Sequence, residues 1–471
     1  MNTERKPMPG WIRIVAIFLA ILFVGELFLF NSAGIKFSSK DYEGTELEEV
    51  ADYLQDNDPY LNASRLQRMR NVAATLGTPK TYDEYSLFAS VAIADQDYTR
   101  AAGYLNTCAE MFTGDDKELA DIYVKIGCLW ALDKQWKAAG DSFSHAISLN
   151  SENSKAYLML CEARLNTQEY ERALDALETY GTMESYRPEE FDALIQLQVN
   201  LGRFEDALSS CDQALEAPDT DKPTFLNYKA QTAYLMGNFA EAKRLAQESL
   251  DAGGEKIQGL SLISLCCSQE GDYSGAFLAA SKILEEENAA PSDFEQAVQY
   301  AYLVSDYPSI EEFSSTALEK FGDTPETVVF RKWLGIAQVE KDDYTQALKN
   351  LTEYFQKEGK DAISPELYYL RGLCALANED YALAEKDFSS GMKSDELKDE
   401  CLYNRGLCRM KLEKTELAAQ DFQEIIDRNA DNEILKMTCE LLEIDEETLQ
   451  IARNEGIASK QSTEAGKNEA S

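Results

Sequence analysis

The amino-acid sequence predicts an all-α protein in which helical hairpins stack one after another as an α-solenoid. Three observations indicate this class. An aromatic residue recurs at intervals of 34 to 38 residues, an alanine follows three residues later in nearly every interval, and no stretch of useful length shows the pattern of a β-strand. Such a period fits one pair of helices, so the chain of 471 residues grows by repetition rather than by enlarging one core.

The first element is an apolar segment near the N-terminus. A short flank, 1–10, precedes a predicted transmembrane helix at 11–31, which is long enough for a hydrocarbon core of roughly 30 Å. Three basic residues precede its uncharged run and two lysines follow it. The positive-inside rule therefore favours a single-pass membrane protein with its repeats on the extracytoplasmic side. A cleavable signal peptide is the alternative, because small residues at 32–34 follow the apolar run.

The rest of the chain divides into a linker, a repeat array and a closing segment. Residues 32–45 are predicted to form a polar linker, and 46–80 a helical lead-in that covers the apolar face of the first repeat. The repeat array is predicted over 81–432. Residues 433–455 have the spacing of a capping helix, and the polar tail 456–471 is predicted to be disordered.

Two sequence positions, which we call the aromatic slot and the alanine slot, define the repeats. The aromatic slot holds Tyr98, Trp136, Tyr170, Phe204, Phe239, Tyr273, Tyr307, Tyr344, Tyr381 and Thr415. The alanine slot holds Ala101, Ala139, Ala173, Ala207, Ala242, Ala276, Ile310, Ala347, Ala384 and Ala418. A small residue is needed where two helices approach most closely, since a larger one forces them apart. The seventh repeat departs from this pattern with Pro308, Ile310 and Ser314, so we expect its hairpin to be kinked or splayed.

These slots resemble the tetratricopeptide (TPR) repeat. In the second interval, Gly127, Trp136, Ala139 and Ala146 stand where that repeat has glycine, an aromatic residue and two alanines. The resemblance runs from 82 to 429 and implies a TPR-type α-solenoid, a right-handed superhelix of about ten hairpins. It also implies that the first helix of each hairpin lines a concave groove. The candidate peptide-groove residues implied by the resemblance are Glu162, Asp192, Gln196, Asn227, Gln231, Tyr234, Glu295, Gln299 and Tyr302.

Charge and composition exclude several kinds of chemistry. Asp and Glu number 84 against 45 Lys and Arg, a formal charge of −39 at pH 7 that would repel nucleic acid. The single histidine, His145, has no catalytic partners in the pattern, and the ten cysteines lack metal-ligand spacing and occupy helical core positions. Arg371 and Arg405 fall at a position that is usually packed rather than open. We therefore predict no enzyme activity, no cofactor and no metal ion.

The predicted function is binding of other proteins. The first hypothesis is a membrane-tethered scaffold or adaptor that holds a protein or an extended peptide in the concave TPR groove. The alternative is a structural spacer or assembly subunit that uses the convex face or the edges and has no groove ligand. The sequence leaves the partner's identity and the oligomeric state open.

Overall fold

The structure is a computed structural model that describes residues 63–218, 220–358, 363–428 and 433–442. These residues form 22 α-helices and contain no strand. The predicted transmembrane helix, the linker and the tail lie outside the described residues. No helix in the described part of the chain combines the length and apolarity needed to cross a membrane.

The helices divide into two units, with the boundary between Glu270 and Gly271. The helices of the N-terminal unit are α1 (Ala63–Leu76), α2 (Tyr82–Ala94), α3 (Tyr98–Met111), α4 (Asp116–Leu132), α5 (Trp136–Leu149), α6 (Ser154–Asn166), α7 (Tyr170–Gly181), α8 (Pro188–Asn200), α9 (Phe204–Glu216), α10 (Lys222–Leu235), α11 (Phe239–Asp251) and α12 (Lys256–Gln269). The helices of the C-terminal unit are α13 (Tyr273–Ile283), α14 (Pro291–Leu303), α15 (Tyr307–Phe321), α16 (Val329–Glu340), α17 (Tyr344–Lys357), α18 (Pro365–Ala377), α19 (Tyr381–Gly391), α20 (Lys398–Lys411), α21 (Thr415–Arg428) and α22 (Glu433–Leu441).

The helices from α2 to α21 alternate along the chain between a first helix, here called A, and a second helix, B, and within each unit an A helix and the B helix that follows it pack as a hairpin. Every B helix begins at its aromatic-slot residue. All ten alanine-slot residues are buried, nine of them with 0% exposure and Ala418 with 2%. The all-helical, TPR-like solenoid class predicted from the two slots is therefore confirmed.

Each turn between an A helix and its B helix contains one residue in the left-handed backbone region, two positions before the aromatic slot. Their φ angles run from +58° to +80°, and the residues are Gln96, Lys134, Gln168, Gly202, Gly237, Gly271, Ser305, Asp342, Glu379 and Glu413. In five of the ten turns the following residue is an aspartate that accepts a hydrogen bond from the main chain of the B helix. The left-handed residue reverses the chain, and the aspartate caps the positive end of the new helix.

Some A helices carry a glycine directly beneath a large residue of the B helix. A Cβ atom at Gly127 would lie 2.5 Å from Cε1 of Phe143, and one at Gly406 would lie 2.6 Å from Cε1 of Phe422. Real Cβ atoms do not approach other atoms so closely, so each glycine makes room for its aromatic ring. The same arrangement holds for Gly335 with Leu351 and for Gly372 with Phe388.

The predicted kink in the seventh repeat is wrong. Helix α15 runs without interruption from Tyr307 to Phe321, and Pro308 lies in its first turn. A proline is tolerated there because the first N–H groups of a helix have no intrahelical acceptor. Ile310 and Ser314 are both fully buried, so this hairpin accommodates its unusual residues within a regular helix.

Candidate functional site

The predicted groove residues of the N-terminal unit include a bonded pair on helix α8. Asp192 and Gln196 stand one helical turn apart, and Gln196 Nε2 donates to Asp192 Oδ1 at 2.8 Å. The same amide lies 3.3 Å from the hydroxyl of Tyr228 on α10. Burial raises the pKa of Tyr228. The negative charge of the neighbouring Asp192 carboxylate, to which the Tyr228 hydroxyl is hydrogen-bonded, raises this pKa further. These contacts hold the Asp192 carboxylate in a fixed orientation, joining two successive A helices.

Asn227 and Gln258 make a second polar link, between α10 and α12. Asn227 Nδ2 donates to Gln258 Oε1 at 3.0 Å. The Asn227 side chain is only 8% exposed, and its Oδ1 atom is buried without a hydrogen-bond partner. The Gln258 side chain is exposed. The exposed Gln258 carboxamide therefore covers the buried Asn227 carboxamide, whose Oδ1 atom has no hydrogen-bond donor.

The other predicted residues of this unit are less accessible than a groove lining requires. Glu162 and Tyr234 are buried at 9% exposure, and Gln231 is half-buried. The Tyr234 ring packs against Phe239, with 5.4 Å between the ring centroids. Glu162 and Tyr234 therefore present little surface to a partner.

In the C-terminal unit, Glu295 and Gln299 on α14 repeat the acid–glutamine pair of α8. Both are half-buried, and Gln299 Nε2 lies 3.3 Å from Glu295 Oε1. Burial raises the pKa of Glu295, and the positive charge of Lys332 on α16 opposes that rise. Burial likewise lowers the pKa of Lys332, against the effect of Glu295. The two groups therefore offset each other's charge within the unit.

The Trp333 ring lies against Lys332 and also packs against Tyr302. The ring of Tyr302, 7% exposed, lies with its centroid 5.3 Å from that of Trp333. The Lys332 ammonium sits 4.5 Å from the centroid of the Trp333 ring, within the range of a cation–π contact. Tyr302 is thus a packed residue of this unit rather than an open anchor.

Sequence reasoning missed Tyr228, Gln258, Lys332 and Trp333. Lys332 could have been found, because it occupies the same position in its A helix as Asp192 does in α8. Lys332 stands three residues before Gly335, and Asp192 stands three residues before the equivalent residue, Ile195. Reading the groove positions beyond the seventh repeat would have included it. Tyr228 and Gln258 lie outside the positions that the resemblance assigns to the groove, so only the packing of neighbouring helices places them there.

The two arginines predicted to be packed form buried ion pairs. Arg371 donates from Nε and Nη2 to the two carboxylate oxygens of Asp387, at 2.7 Å each. Arg405 pairs in the same way with Asp421, at 3.1 and 2.5 Å. Each pair joins the A and B helices of one hairpin. Such bidentate pairs fix a geometry inside the hairpin and leave no open cation for a ligand.

The remaining reactive residue types are also packed. The exposed His145 ring stacks edge-on against Tyr123, with centroids 4.2 Å apart. Nine cysteines of the described residues are buried, as predicted for core positions, and none of these nine forms a disulfide. Burial raises the pKa of the Cys161 thiol to about 12. Over the described ranges, no group of His, Cys, Asp and Glu residues is arranged to hold a metal ion.

Comparison with known proteins identifies the repeats. The tetratricopeptide repeat family model matches residues 193–257, in the N-terminal unit, and 334–394, in the C-terminal unit. Both segments are therefore tetratricopeptide repeats, and the first of them includes Gln196 and Asn227. Comparison with curated protein sequences gives no match.

Several solved structures share the repeat. A tetratricopeptide repeat protein from Parabacteroides merdae is 17% identical, covering 54% of this chain and 98% of that one at a TM-score of 0.34. The C-terminal part of a repeat protein from Cytophaga hutchinsonii is 16% identical, covering 53% and 98% at a TM-score of 0.42. YrrB, described as a TPR protein with an unusual peptide-binding site, is 16% identical, covering 44% and 96% at a TM-score of 0.33.

Proposed function

We propose that this chain is a membrane-tethered scaffold that binds an extended peptide segment of a protein partner along the A helices of its N-terminal unit. Tetratricopeptide repeats generally mediate protein–protein interactions, and the fold typically serves as a non-enzymatic scaffold. The tether in this proposal is the apolar segment 11–31.

The observation that carries the proposal is the covered carboxamide of Asn227. Its Nδ2 group already donates to a carboxamide oxygen, and its Oδ1 atom lacks a donor. A peptide bond presents one C=O acceptor and one N–H donor side by side. A bound peptide group that displaces the exposed Gln258 side chain would accept from Nδ2 and donate to Oδ1, satisfying both atoms.

The expected affinity follows from this exchange. One neutral hydrogen bond contributes only about 0.5 to 1.5 kcal/mol net, so binding requires several contacts along the segment. The half-buried Asp192 and Gln196 on α8, and the half-buried Tyr228 on α10, offer further polar atoms. We therefore expect a modest affinity that depends on a partner lying across α8 and α10 together.

The test replaces Asn227 with leucine, which keeps the approximate size but removes both polar atoms. The Asn350→Leu variant is the matched control, because Asn350 is also buried and also donates from Nδ2 to a glutamine, Gln338, at 2.9 Å. Cross-linking in intact cells, followed by identification of the captured proteins, is the measurement. We expect N227L to lose its partners while N350L retains them.

Two results would count against the proposal. Unchanged capture by N227L would remove Asn227 from the interface. Equal losses in both variants, with helix content unchanged, would indicate a general effect of disturbing the array rather than a binding site.

The sidedness of the tether is a separate part of the proposal. The distribution of basic residues around 11–31 favours an extracytoplasmic repeat domain. Protease added to sealed cells should then digest the repeats, and full protection of the repeats would place them on the other side.

A further inference from the structure

We infer that the proposed peptide site selects a segment carrying a lysine or arginine, whose cation pairs with the carboxylate of Asp192. This inference rests on the proposed function and names the chemical class of the partner at the same site.

The first step is the unneutralised charge of Asp192. Its side chain is half-buried and held by hydrogen bonds from Gln196 and Tyr228, which leave further lone pairs of the carboxylate available. The basic residues closest to it in sequence are already engaged, since Arg187 pairs with Glu190 at 2.7 Å and Arg203 with Asp206 at 2.7 Å. Throughout the described ranges, no lysine or arginine forms an ion pair with Asp192.

The second step is an independent acceptor on the neighbouring helix. Asn227 precedes Tyr228 in α10, and its Oδ1 atom is buried without a donor. Lys229, one residue beyond Tyr228, is held by Asp212 at 2.5 Å and supplies no donor here. Asp192 and Asn227 together thus offer acceptors on adjacent A helices, and a ligand that satisfies them must bring donors.

In the C-terminal unit, the same motif has a lysine of the next A helix whose charge acts on its carboxylate. Glu295 occupies the A-helix position of Asp192, and Gln299 donates to it as Gln196 does to Asp192. The difference is Lys332, whose charge acts on Glu295. Where no such lysine exists, the compensating cation is left for the partner to provide.

The charge of the whole chain acts in the same direction. With a formal charge of −39, the protein attracts basic segments and repels acidic ones at long range. A cation paired with a partly desolvated carboxylate then adds selectivity at short range. An acidic segment would meet both unfavourable effects.

The experiment is a selection from a displayed library of random octapeptides, using the full-length chain in detergent micelles as bait. We expect peptides enriched in lysine or arginine. In a selected peptide, replacing the critical lysine with norleucine should weaken binding about tenfold, the effect of one charge-assisted hydrogen bond. The Asp192→Asn variant, which keeps the shape and one acceptor oxygen but removes the charge, should bind peptides without this preference.

Glu295→Gln is the matched control, because it removes an equivalent carboxylate that already has a cation nearby. It should retain the wild-type preference. Loss of the preference in both variants would indicate the general field of the protein and overturn the role of Asp192, as would a preference that persists in D192N.

The two proposals fail in different ways. If octapeptides bind with no basic preference or with an acidic one, the inference is overturned while peptide binding stands. If no peptide is selected by a bait that retains its helix content, the proposed function itself is overturned.

Discussion

The hairpins α14–α15 and α18–α19 belong to the same unit and fill the same internal positions in different ways. In α18–α19, the A helix contributes Arg371 and Gly372, and the B helix contributes Asp387 and Phe388. Arg371 bonds to both oxygens of Asp387 at 2.7 Å, and a Cβ atom at Gly372 would lie 2.9 Å from Phe388 Cε1. This hairpin thus combines a buried ion pair with a glycine beneath an aromatic ring.

The hairpin α14–α15 has Ala297 and Val298 at the A-helix positions, and Phe313 and Ser314 at the B-helix positions. Ala297, Val298 and Ser314 are fully buried, and Phe313 is half-buried against Phe277, with 6.2 Å between ring centroids. The bulk that α18–α19 places on its B helix lies instead on the A helix, and no ion pair is needed.

In these two hairpins, the total side-chain volume at facing positions of the A and B helices is what the fold constrains, and the volume at each single position can vary. A large residue on either helix is accommodated if the facing residue is small, because interiors tolerate changes that conserve total volume. A buried ion pair is likewise one of two solutions, in keeping with the ability of apolar residues to replace such pairs.

The largest effect should come from breaking the ion pair. Asp387→Ala leaves the Arg371 guanidinium buried without its partner, which we expect to cost about 3 to 5 kcal/mol. Phe313→Ala, the equivalent change in α14–α15, removes a half-buried ring and should cost about 2 kcal/mol. Urea unfolding combined with amide hydrogen exchange in each hairpin is the measurement, since a repeat array need not unfold in one step. Equal losses would contradict the distinction between the two hairpins.

A smaller effect should come from overfilling the glycine position. Gly372→Val places new atoms against the Phe388 ring and should cost about 1 to 3 kcal/mol. Adding Phe388→Ser reproduces the valine–serine pair found in α14–α15. The double variant should lose less stability than the sum of the losses in the two single variants, by about 0.5 to 3 kcal/mol. Strict additivity in this double-mutant cycle would show that the facing positions do not share volume. Gly103→Val is the control, because a Cβ atom there has no neighbour within 4 Å.

The smallest effect concerns a feature that both hairpins share. Ser305 and Glu379 occupy the left-handed turn position, with φ of +59° and +60°. Replacing either residue with glycine removes the energetic cost of the left-handed backbone conformation but increases the conformational entropy of the unfolded chain. The free energy of unfolding should therefore rise by about 0.5 to 1 kcal/mol in each hairpin. Thermal unfolding checks the direction, with Gly202→Ala as the reverse change, expected to destabilise. A loss of stability in S305G and E379G would show that other contacts of those side chains outweigh the backbone penalty.

The repeating slots predicted the hairpins well because the same physical demand recurs in each. A small residue is favoured where two helices approach closely, and all ten B helices begin at the aromatic slot. The left-handed turn residue was not recognised. Only Gly202, Gly237 and Gly271 signal it in the sequence, while the other seven turns use polar residues that adopt the same angle.

The sequence also does not predict which residues of an A helix and its B helix compensate for each other. The fold tolerates Pro308 because it lies in the first turn of α15, and it tolerates Ile310 because of the residues that face it, so neither residue type alone predicts the regular helix. The site shows the same limit. Position in the repeat located the bonded pairs at Asp192 and Glu295, but the cation beside Glu295 and the cover over Asn227 arise from neighbouring helices.

The buried cysteines give the molecule a set of built-in probes of local opening. Nine buried thiols lie in α3, α4, α6, α9, α12, α18 and α20, and none of these nine forms a disulfide. An alkylating reagent can reach such a thiol only when the surrounding helices part, and the rate of modification then reports the free energy of that opening. Mass spectrometry of the wild-type protein during slow alkylation would therefore rank the repeats by local stability without any introduced label.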